Sequence, residues 1–108
     1  MKYEIKWLPE AKQDVADIAS YITSSFGAGA VEKMLDGVDE VASLLAYTPY
    51  MGEAFGTSIN YRVFHSKRNS LYYRINDNEV VIVAVMDSRR GPDTIASLLK
   101  KRNQSIKQ

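Results

Sequence analysis

Apolar and polar residues alternate strictly at the start of the chain. Tyr3, Ile5 and Trp7 lie on one side of an extended segment and charged residues lie on the other. This pattern predicts a half-buried strand over residues 2–7. Pro9 follows, and proline is favoured in the first turn of a helix because the N–H group that it lacks has no partner there. We therefore expect a helix to begin at about Pro9.

The next part of the chain repeats apolar side chains every three or four positions, which predicts two amphipathic helices. The first covers about residues 9–26 and stops at Gly27, a residue type that is favoured at helix ends. The second covers about residues 29–47 and stops before Pro49. Because the link between them is short, we expect the two helices to form an antiparallel hairpin.

Turn-forming residues are frequent over residues 49–60, which predicts a loop. Three strand-like runs follow, at about residues 61–66, 71–75 and 80–86. The short turns between them imply an antiparallel meander. The third run is apolar on both faces, so we expect it inside the sheet and not at an edge.

The predicted element order is β-α-α-β-β-β-α, with a last helix from Pro92 to about Leu99. This order indicates an α+β fold, in which the helix hairpin packs on one face of a small, mainly antiparallel sheet of four strands. The other face is expected to be partly open. The 108 residues fit one domain, which we place at residues 1–102. Residues 103–108 are expected to form a polar C-terminal tail.

Composition excludes several classes of protein. The chain has no cysteine and a single histidine, which leaves no thiol nucleophile, no disulfide and no credible metal-ligand cluster. The N-terminus lacks the apolar core of a signal peptide, and no run approaches the roughly 18 apolar residues of a membrane span. We therefore expect a cytoplasmic protein without a metal, a small-molecule cofactor or a membrane partner.

The net charge of +1 conceals an uneven distribution. Residues 1–60 carry 4 basic and 9 acidic side chains, whereas residues 61–108 carry 10 basic and 4 acidic ones. Two interpretations are open. The basic half binds a polyanion or an acidic partner, or the helix surfaces are acidic and the strand surfaces basic with no function attached.

Basic side chains and tyrosines are interleaved in the second half of the chain. Arginine guanidinium groups match phosphate oxygens, and exposed tyrosines stack on bases. The same set supports RNA cleavage without a metal, because histidine or tyrosine moves a proton while arginine stabilises the charge that develops on phosphorus. The candidates for catalysis, if the protein is a nuclease, are Arg62, His65, Arg74 and Arg89. The candidates for target or nucleic-acid binding are Lys67, Arg68, Tyr72, Arg74, Arg89 and Arg90.

Several of these side chains also have a purely structural interpretation. Tyr73 is expected in the core, whereas Tyr72 and Arg74 lie on the opposite face of the same strand and are expected at the surface. The turn at Lys67-Arg68 and the run Lys100-Lys101-Arg102 are expected to be solvated.

Several segments, taken in order, carry a resemblance to a known family. They are the opening strand with Trp7-Leu8-Pro9-Glu10-Ala11, the helix hairpin, Tyr47-Thr48-Pro49-Tyr50-Met51-Gly52, Leu71-Tyr72-Tyr73-Arg74-Ile75 with the Asp77 turn, and residues 83–86 leading to Ser88-Arg89-Arg90. Over about residues 3–95 the chain resembles the RelE/ParE superfamily. The resemblance implies a plasmid-stabilisation type of toxin from a bacterial type II toxin–antitoxin module, which inhibits growth and is neutralised by direct binding of a cognate antitoxin.

The resemblance to ParE-like toxins is the closer one. It implies inhibition of DNA gyrase without catalysis, and the long hairpin with its Thr-Pro-Tyr-Met-Gly closure and the Ser-Arg-Arg corner favour it. RelE-like toxins cut messenger RNA on the ribosome without a metal. That pattern implies a basic residue where this chain has Asn69-Ser70, and paired lysines where it has Tyr61 and Val63. It also implies a tyrosine near Ile95, and only Arg89 matches.

Three functions are therefore open. The favoured one is a non-enzymatic inhibitor of DNA gyrase. The second is a ribosome-dependent messenger RNA endoribonuclease, and the third is an inactive toxin homologue that acts only as a binding module. The expected partners are the cognate antitoxin and either gyrase or the ribosome with its messenger RNA.

Overall fold

A computed structural model describes residues 2–55, 61–66, 69–87 and 92–106. In these parts of the chain the elements are, in order, β1 (Glu4–Trp7), α1 (Pro9–Phe26), α2 (Ala28–Tyr47), β2 (Glu53–Phe55), β3 (Tyr61–His65), β4 (Asn69–Asn76), β5 (Glu79–Asp87) and α3 (Pro92–Ile106). The predicted α+β class and the helix hairpin are confirmed. The last helix ends at Ile106 and not near Leu99.

Within the described residues the strands form one sheet of five, in the order β1-β5-β4-β3-β2. β1 pairs with β5 in parallel, and the other neighbours are antiparallel. The predicted number of four strands is wrong, because Glu53–Phe55 pairs with β3. Only Phe55 among these three residues is of a type enriched in strands, so the segment carries little strand signal of its own. The interior position predicted for β5 is confirmed.

Helices cover parts of both faces of the sheet. α1 and α2 pack on the face that carries Tyr73, with Leu45 of α2 in the same buried cluster; we call this the hairpin face. On the opposite face Ile95 and Leu99 of α3 pack with Tyr72; we call this the α3 face. Ile95 and Leu99 lie four positions apart, so they form one apolar stripe on α3. The predicted open face is therefore covered by α3 over this area.

A β-bulge sets which side chains of β5 meet each helix layer. The β4–β5 register shifts between Tyr72 and Tyr73, which leaves Val83 as an extra residue in β5. A bulge turns two successive residues toward the same side, and Val83 and Ala84 both belong to the cluster on the α3 face. Val85 returns to the hairpin face.

Two charged side chains bind the backbone of β5 where β1 no longer pairs with it. The Oδ2 atom of Asp14 accepts a hydrogen bond from the Val85 N–H at 3.0 Å, and Arg102 donates to the Val83 carbonyl at 2.9 Å. Arg102 also donates to both carboxylate oxygens of Asp14, at 2.6 and 3.0 Å. Each side chain is 13% exposed. The predicted solvation of this helix end is therefore wrong for Arg102, which joins α3 to α1 and the sheet.

Candidate functional site

Four of the predicted site residues lie in the described part of the sheet: Arg62, His65, Tyr72 and Arg74. The other four lie outside the described residues: Lys67, Arg68, Arg89 and Arg90.

Strand pairing places the described candidates on two different faces. Arg62 lies opposite Tyr73, and Arg74 lies opposite Tyr61. Because side chains alternate along a strand, Arg62 points to the hairpin face, and Arg74 points to the α3 face. His65 is on the same side of β3 as Tyr61, so it shares the α3 face. The sheet therefore separates Arg62 from His65 and Arg74, the other two candidates for catalysis among the described residues.

Arg62 is half-buried and holds the segment that follows α2. Its guanidinium group lies 5.1 Å from the centre of the Tyr50 ring, and its Nη2 atom donates to the Tyr50 carbonyl oxygen at 3.3 Å. The Nε atom is buried and has no hydrogen-bond partner among the described residues. The Arg62 side chain therefore contacts both the ring and the backbone of Tyr50.

Tyr73 lies beneath this segment, and the predicted core position is confirmed because the residue is fully buried. Its hydroxyl donates to the Pro49 carbonyl oxygen at 2.7 Å and accepts from the Gly52 N–H at 3.1 Å. Burial raises the pKa of Tyr73, and the Gly52 N–H and Arg62 partly oppose that rise. Residues 49–52 are therefore tied to the sheet through one buried hydroxyl.

Tyrosines also attach α3 to its face of the sheet. The Tyr61 hydroxyl donates to the Leu99 carbonyl oxygen at 3.1 Å, and the Arg74 guanidinium lies 5.8 Å from the Tyr61 ring centre. Burial raises the pKa of Tyr61, and the charge of Arg74 partly lowers it. Tyr72 is 4% exposed and its ring meets Phe55 edge to face at 5.2 Å. The predicted surface position of Tyr72 is wrong, because α3 covers it.

His65 is exposed at the end of β3 and is held by a neighbour that the sequence pattern did not indicate. Its Nδ1 atom lies 2.7 Å from the Oγ atom of Ser70, which is buried. Such a hydrogen bond fixes the orientation of the imidazole through Nδ1. The other ring nitrogen, Nε2, is not part of the contact with Ser70. A serine on a strand carries no distinctive signal, so only the pairing of β3 with β4 revealed the contact.

A groove of about 640 Å³ lies between the hairpin and β4. The residues that line it come from three elements and from the turn after β3, so sequence periodicity did not reveal it. Gly29 and Gly37 are among them, and a Cβ atom at either position would meet no atom within 4 Å. Among the described residues that line the groove, Lys33 is the one cation. The other lining residues are Ile22, Phe26, Ala30, Met34, Val38, Ser66, Asn69 and Leu71.

Two further observations concern the described ranges alone. They contain no group of three or more histidine, aspartate or glutamate side chains placed to hold a metal ion. None of their helices is both long enough and apolar enough to cross a bilayer.

Comparison with known proteins gives a family match. The model for the ParE toxin of the type II toxin–antitoxin system parDE matches residues 5–92. No curated protein matches the chain. Among solved structures, a chain of the chromosomal ParDE system from P. aeruginosa is similar with a TM-score of 0.68 and 18% identity, over 80% of this chain and 96% of that one.

Two other solved structures are similar in fold. A chain of the RelBE2 toxin–antitoxin complex from Mycobacterium tuberculosis has a TM-score of 0.64 and 21% identity, over 81% of this chain and 99% of that one. A conserved hypothetical protein from Helicobacter pylori has a TM-score of 0.53 and 11% identity, over 80% of this chain and 94% of that one. At these identities the structural similarity is evidence for the fold.

Proposed function

Because the chain belongs to the ParE toxin family of type II toxin–antitoxin systems, we propose that it inhibits DNA gyrase by binding to it, without catalysis. We further propose that a cognate antitoxin keeps it inactive by direct contact. The observation that carries the binding mode is the separation of Arg62 from His65 and Arg74 by the sheet. Metal-free cleavage of RNA needs proton-transfer and charge-stabilising groups around one phosphate, and these three side chains do not surround one point.

The contacts of the two arginines support the same proposal. Arg62 is engaged with the ring and the carbonyl group of Tyr50. Arg74 lies against the ring of Tyr61, the residue that also binds the backbone of α3. Both guanidinium groups therefore contact the protein's own structure. Contacts of this kind suit a surface that is already ordered before a partner binds.

The purified protein is expected to inhibit supercoiling of relaxed plasmid by gyrase holoenzyme, because direct binding to gyrase needs no other component. A preincubated mixture with the cognate antitoxin is the control and is expected to leave gyrase active. The measurement is the concentration of toxin that halves supercoiling, together with the amount of gyrase-cleaved DNA. Unchanged supercoiling and cleavage at a large molar excess of toxin would refute the gyrase proposal.

A second candidate function is the ribosome-dependent endoribonuclease, and one observation favours it. His65 is exposed and its imidazole is oriented by Ser70, which suits a residue that moves a proton. Mapping of messenger RNA 5′ ends, minutes after induction without antitoxin, tests this function. New ends within translated frames that disappear in Arg89→Ala and His65→Gln variants would establish cleavage. Induction without growth arrest would instead identify an inactive homologue.

The groove beside the hairpin is the place where we propose that a segment of the antitoxin binds. Its volume of about 640 Å³ and its mainly apolar lining suit several side chains of one amphipathic segment. Lys33 offers a partner for an acidic residue of that segment. Gly29 and Gly37 leave open space beside α2 in the groove, since a Cβ atom at either position would meet no atom within 4 Å.

Gly37→Leu is expected to weaken antitoxin binding roughly tenfold or more, because the new side chain enters the groove. The variant is expected to remain folded: its Cβ meets no atom within 4 Å, and replacing a helical glycine stabilises a helix by about 0.5–1 kcal/mol. Calorimetric titration with the antitoxin and a thermal unfolding curve measure both effects. Ala16→Leu, on an exposed position of α1 outside the groove, is the matched control. Wild-type affinity in a folded Gly37→Leu protein would remove the groove from the antitoxin interface.

A further inference from the structure

Large apolar side chains are exposed where the helix hairpin returns to the sheet. The exposed fractions are 47% for Leu44, 63% for Tyr47, 62% for Tyr50 and 36% for Met51; we call these four residues the hairpin-end patch. Leu44 and Tyr47 lie three positions apart on α2, so they are neighbours on its surface. Clusters of exposed apolar side chains mark interaction surfaces, and tyrosine and methionine are enriched in them.

Hydrogen bonds order the backbone that carries the patch. The backbone N–H and the hydroxyl of Thr48 both donate to the Leu44 carbonyl oxygen, at 2.9 and 2.8 Å, and the Met51 N–H donates to the Thr48 carbonyl oxygen at 3.1 Å. The buried Tyr73 hydroxyl binds Pro49 from below. A surface that is ordered before its partner arrives loses little conformational entropy on binding.

A cation lies against each of the two tyrosine rings of the patch. The Lys2 ammonium lies 5.8 Å from the Tyr47 ring centre, and the Arg62 guanidinium lies 5.1 Å from the Tyr50 ring centre. A second copy of this chain would bring the same two cations face to face, which is unfavourable. The patch instead suits a segment that presents carboxylates beside apolar side chains.

A protein segment fits the patch better than a nucleic acid does. Single-stranded nucleic acid also binds tyrosines and cations, through stacking of bases on ring faces. Leu44 and Met51 have no such face, and a cation already lies over the ring of each tyrosine. Apolar side chains of a protein gain from contact with all four members of the patch.

We propose that the hairpin-end patch is the surface through which this toxin binds its target, by contact with an acidic segment of the target protein. The inference rests on the proposed function, since it takes the target to be a protein. It also separates the target site from the groove proposed for the antitoxin, which is lined by the last turn of α1 at Phe26 and by the first half of α2.

The double variant Tyr47→Ser/Tyr50→Ser tests the apolar part of the proposal. We expect it to abolish growth arrest after induction without antitoxin, and to raise the concentration that half-inhibits gyrase roughly tenfold or more. The matched control is Tyr21→Ser, since Tyr21 is 56% exposed on α1 outside the patch. Because these side chains are exposed, all variants are expected to fold, and their thermal unfolding curves verify this.

Lys2→Glu tests the charge of the partner. We expect it to weaken gyrase inhibition and growth arrest several-fold, because it places a carboxylate opposite the acidic segment. The control is Lys101→Glu, which makes the same charge change at an exposed position of α3. A Lys2→Glu protein that inhibits gyrase and arrests growth as strongly as the wild type would overturn the proposal that the target segment is acidic.

The two readouts separate this inference from the proposed function. If the wild-type protein arrests growth without inhibiting gyrase, the gyrase proposal fails. Growth arrest by the wild type and by the double variant can then still be compared, and this comparison decides the role of the patch. If the wild-type protein inhibits gyrase and the double variant does so equally well, only the patch is overturned. The patch is also overturned if the tyrosine substitutions weaken only antitoxin binding or only RNA binding. A wild-type protein that arrests no growth overturns both.

Discussion

Arg102→Ala is expected to lower the free energy of unfolding by up to about 3–5 kcal/mol, because it leaves the largely buried Asp14 carboxylate without its cation. Both side chains are 13% exposed, and two hydrogen bonds join them. The variant also removes the donor to the Val83 carbonyl oxygen. Since small domains are stable by only about 5–15 kcal/mol, this single change removes much of the total. Urea-induced unfolding followed by circular dichroism measures the loss.

Two comparison variants isolate the ion pair. Lys101→Ala changes an exposed neighbour on the same helix and is expected to alter stability by less than about 0.5 kcal/mol. Asp14→Leu/Arg102→Met removes both charges, so the double variant is expected to be more stable than Arg102→Ala. A loss below about 1 kcal/mol in Arg102→Ala would show that the pair does not hold α3 to the rest of the protein.

Gly52→Ala is expected to destabilise the protein by about 1–3 kcal/mol or more, as overpacking of a tight core does. A Cβ atom at Gly52 would lie 2.5 Å from the Tyr73 hydroxyl oxygen and 2.8 Å from the Val63 carbonyl oxygen. The second atom belongs to the backbone of β3, so it cannot withdraw as a flexible side chain does.

Tyr73→Phe is expected to lower the free energy of unfolding by about 1–3 kcal/mol for a different reason, since it leaves the Pro49 carbonyl and the Gly52 N–H without their partner.

The combination of these two substitutions tests whether they act at one place. The double variant removes the hydroxyl that the new methyl group would strike, so its loss of stability is expected to be smaller than the sum of the two single losses. Gly29→Ala is the control, because its Cβ meets no atom within 4 Å and it is expected to stabilise the protein slightly. If the loss of stability of the double variant in thermal unfolding equals the sum of the two single losses, the proposed contact between Gly52 and Tyr73 is contradicted.

Local signals in the sequence were sufficient for much of the fold. The bounds of α1, Pro9 and Phe26, were predicted correctly because a proline, an apolar stripe and a following glycine all act within a few residues of each other. The interior position of β5 followed from its two apolar faces, since only a strand covered on both sides buries them all. Tyr73 was assigned to the core by strand alternation alone.

The errors in the predicted fold concern features that depend on which surfaces meet. β2 is three residues long and exists through its pairing with β3. Tyr72 is buried because α3 lies over it, and neither its own neighbours nor its strand pattern carries that information. The bulge at Val83 depends on the register between β4 and β5, and a run of apolar residues is compatible with either alternation.

The candidate site likewise has features that local sequence predicts and features that depend on folding. The basic, tyrosine-rich region that includes Arg62 and Arg74 could be recognised from the sequence, because residue type is a local property. The placement of these two arginines on opposite faces of the sheet, and the largely buried ion pair of Arg102 with Asp14, became apparent in the folded protein alone. Distance along the chain accounts for this difference. Periodicity and capping act over a few residues, whereas an ion pair, a groove or a shared face depends on residues that folding alone brings together.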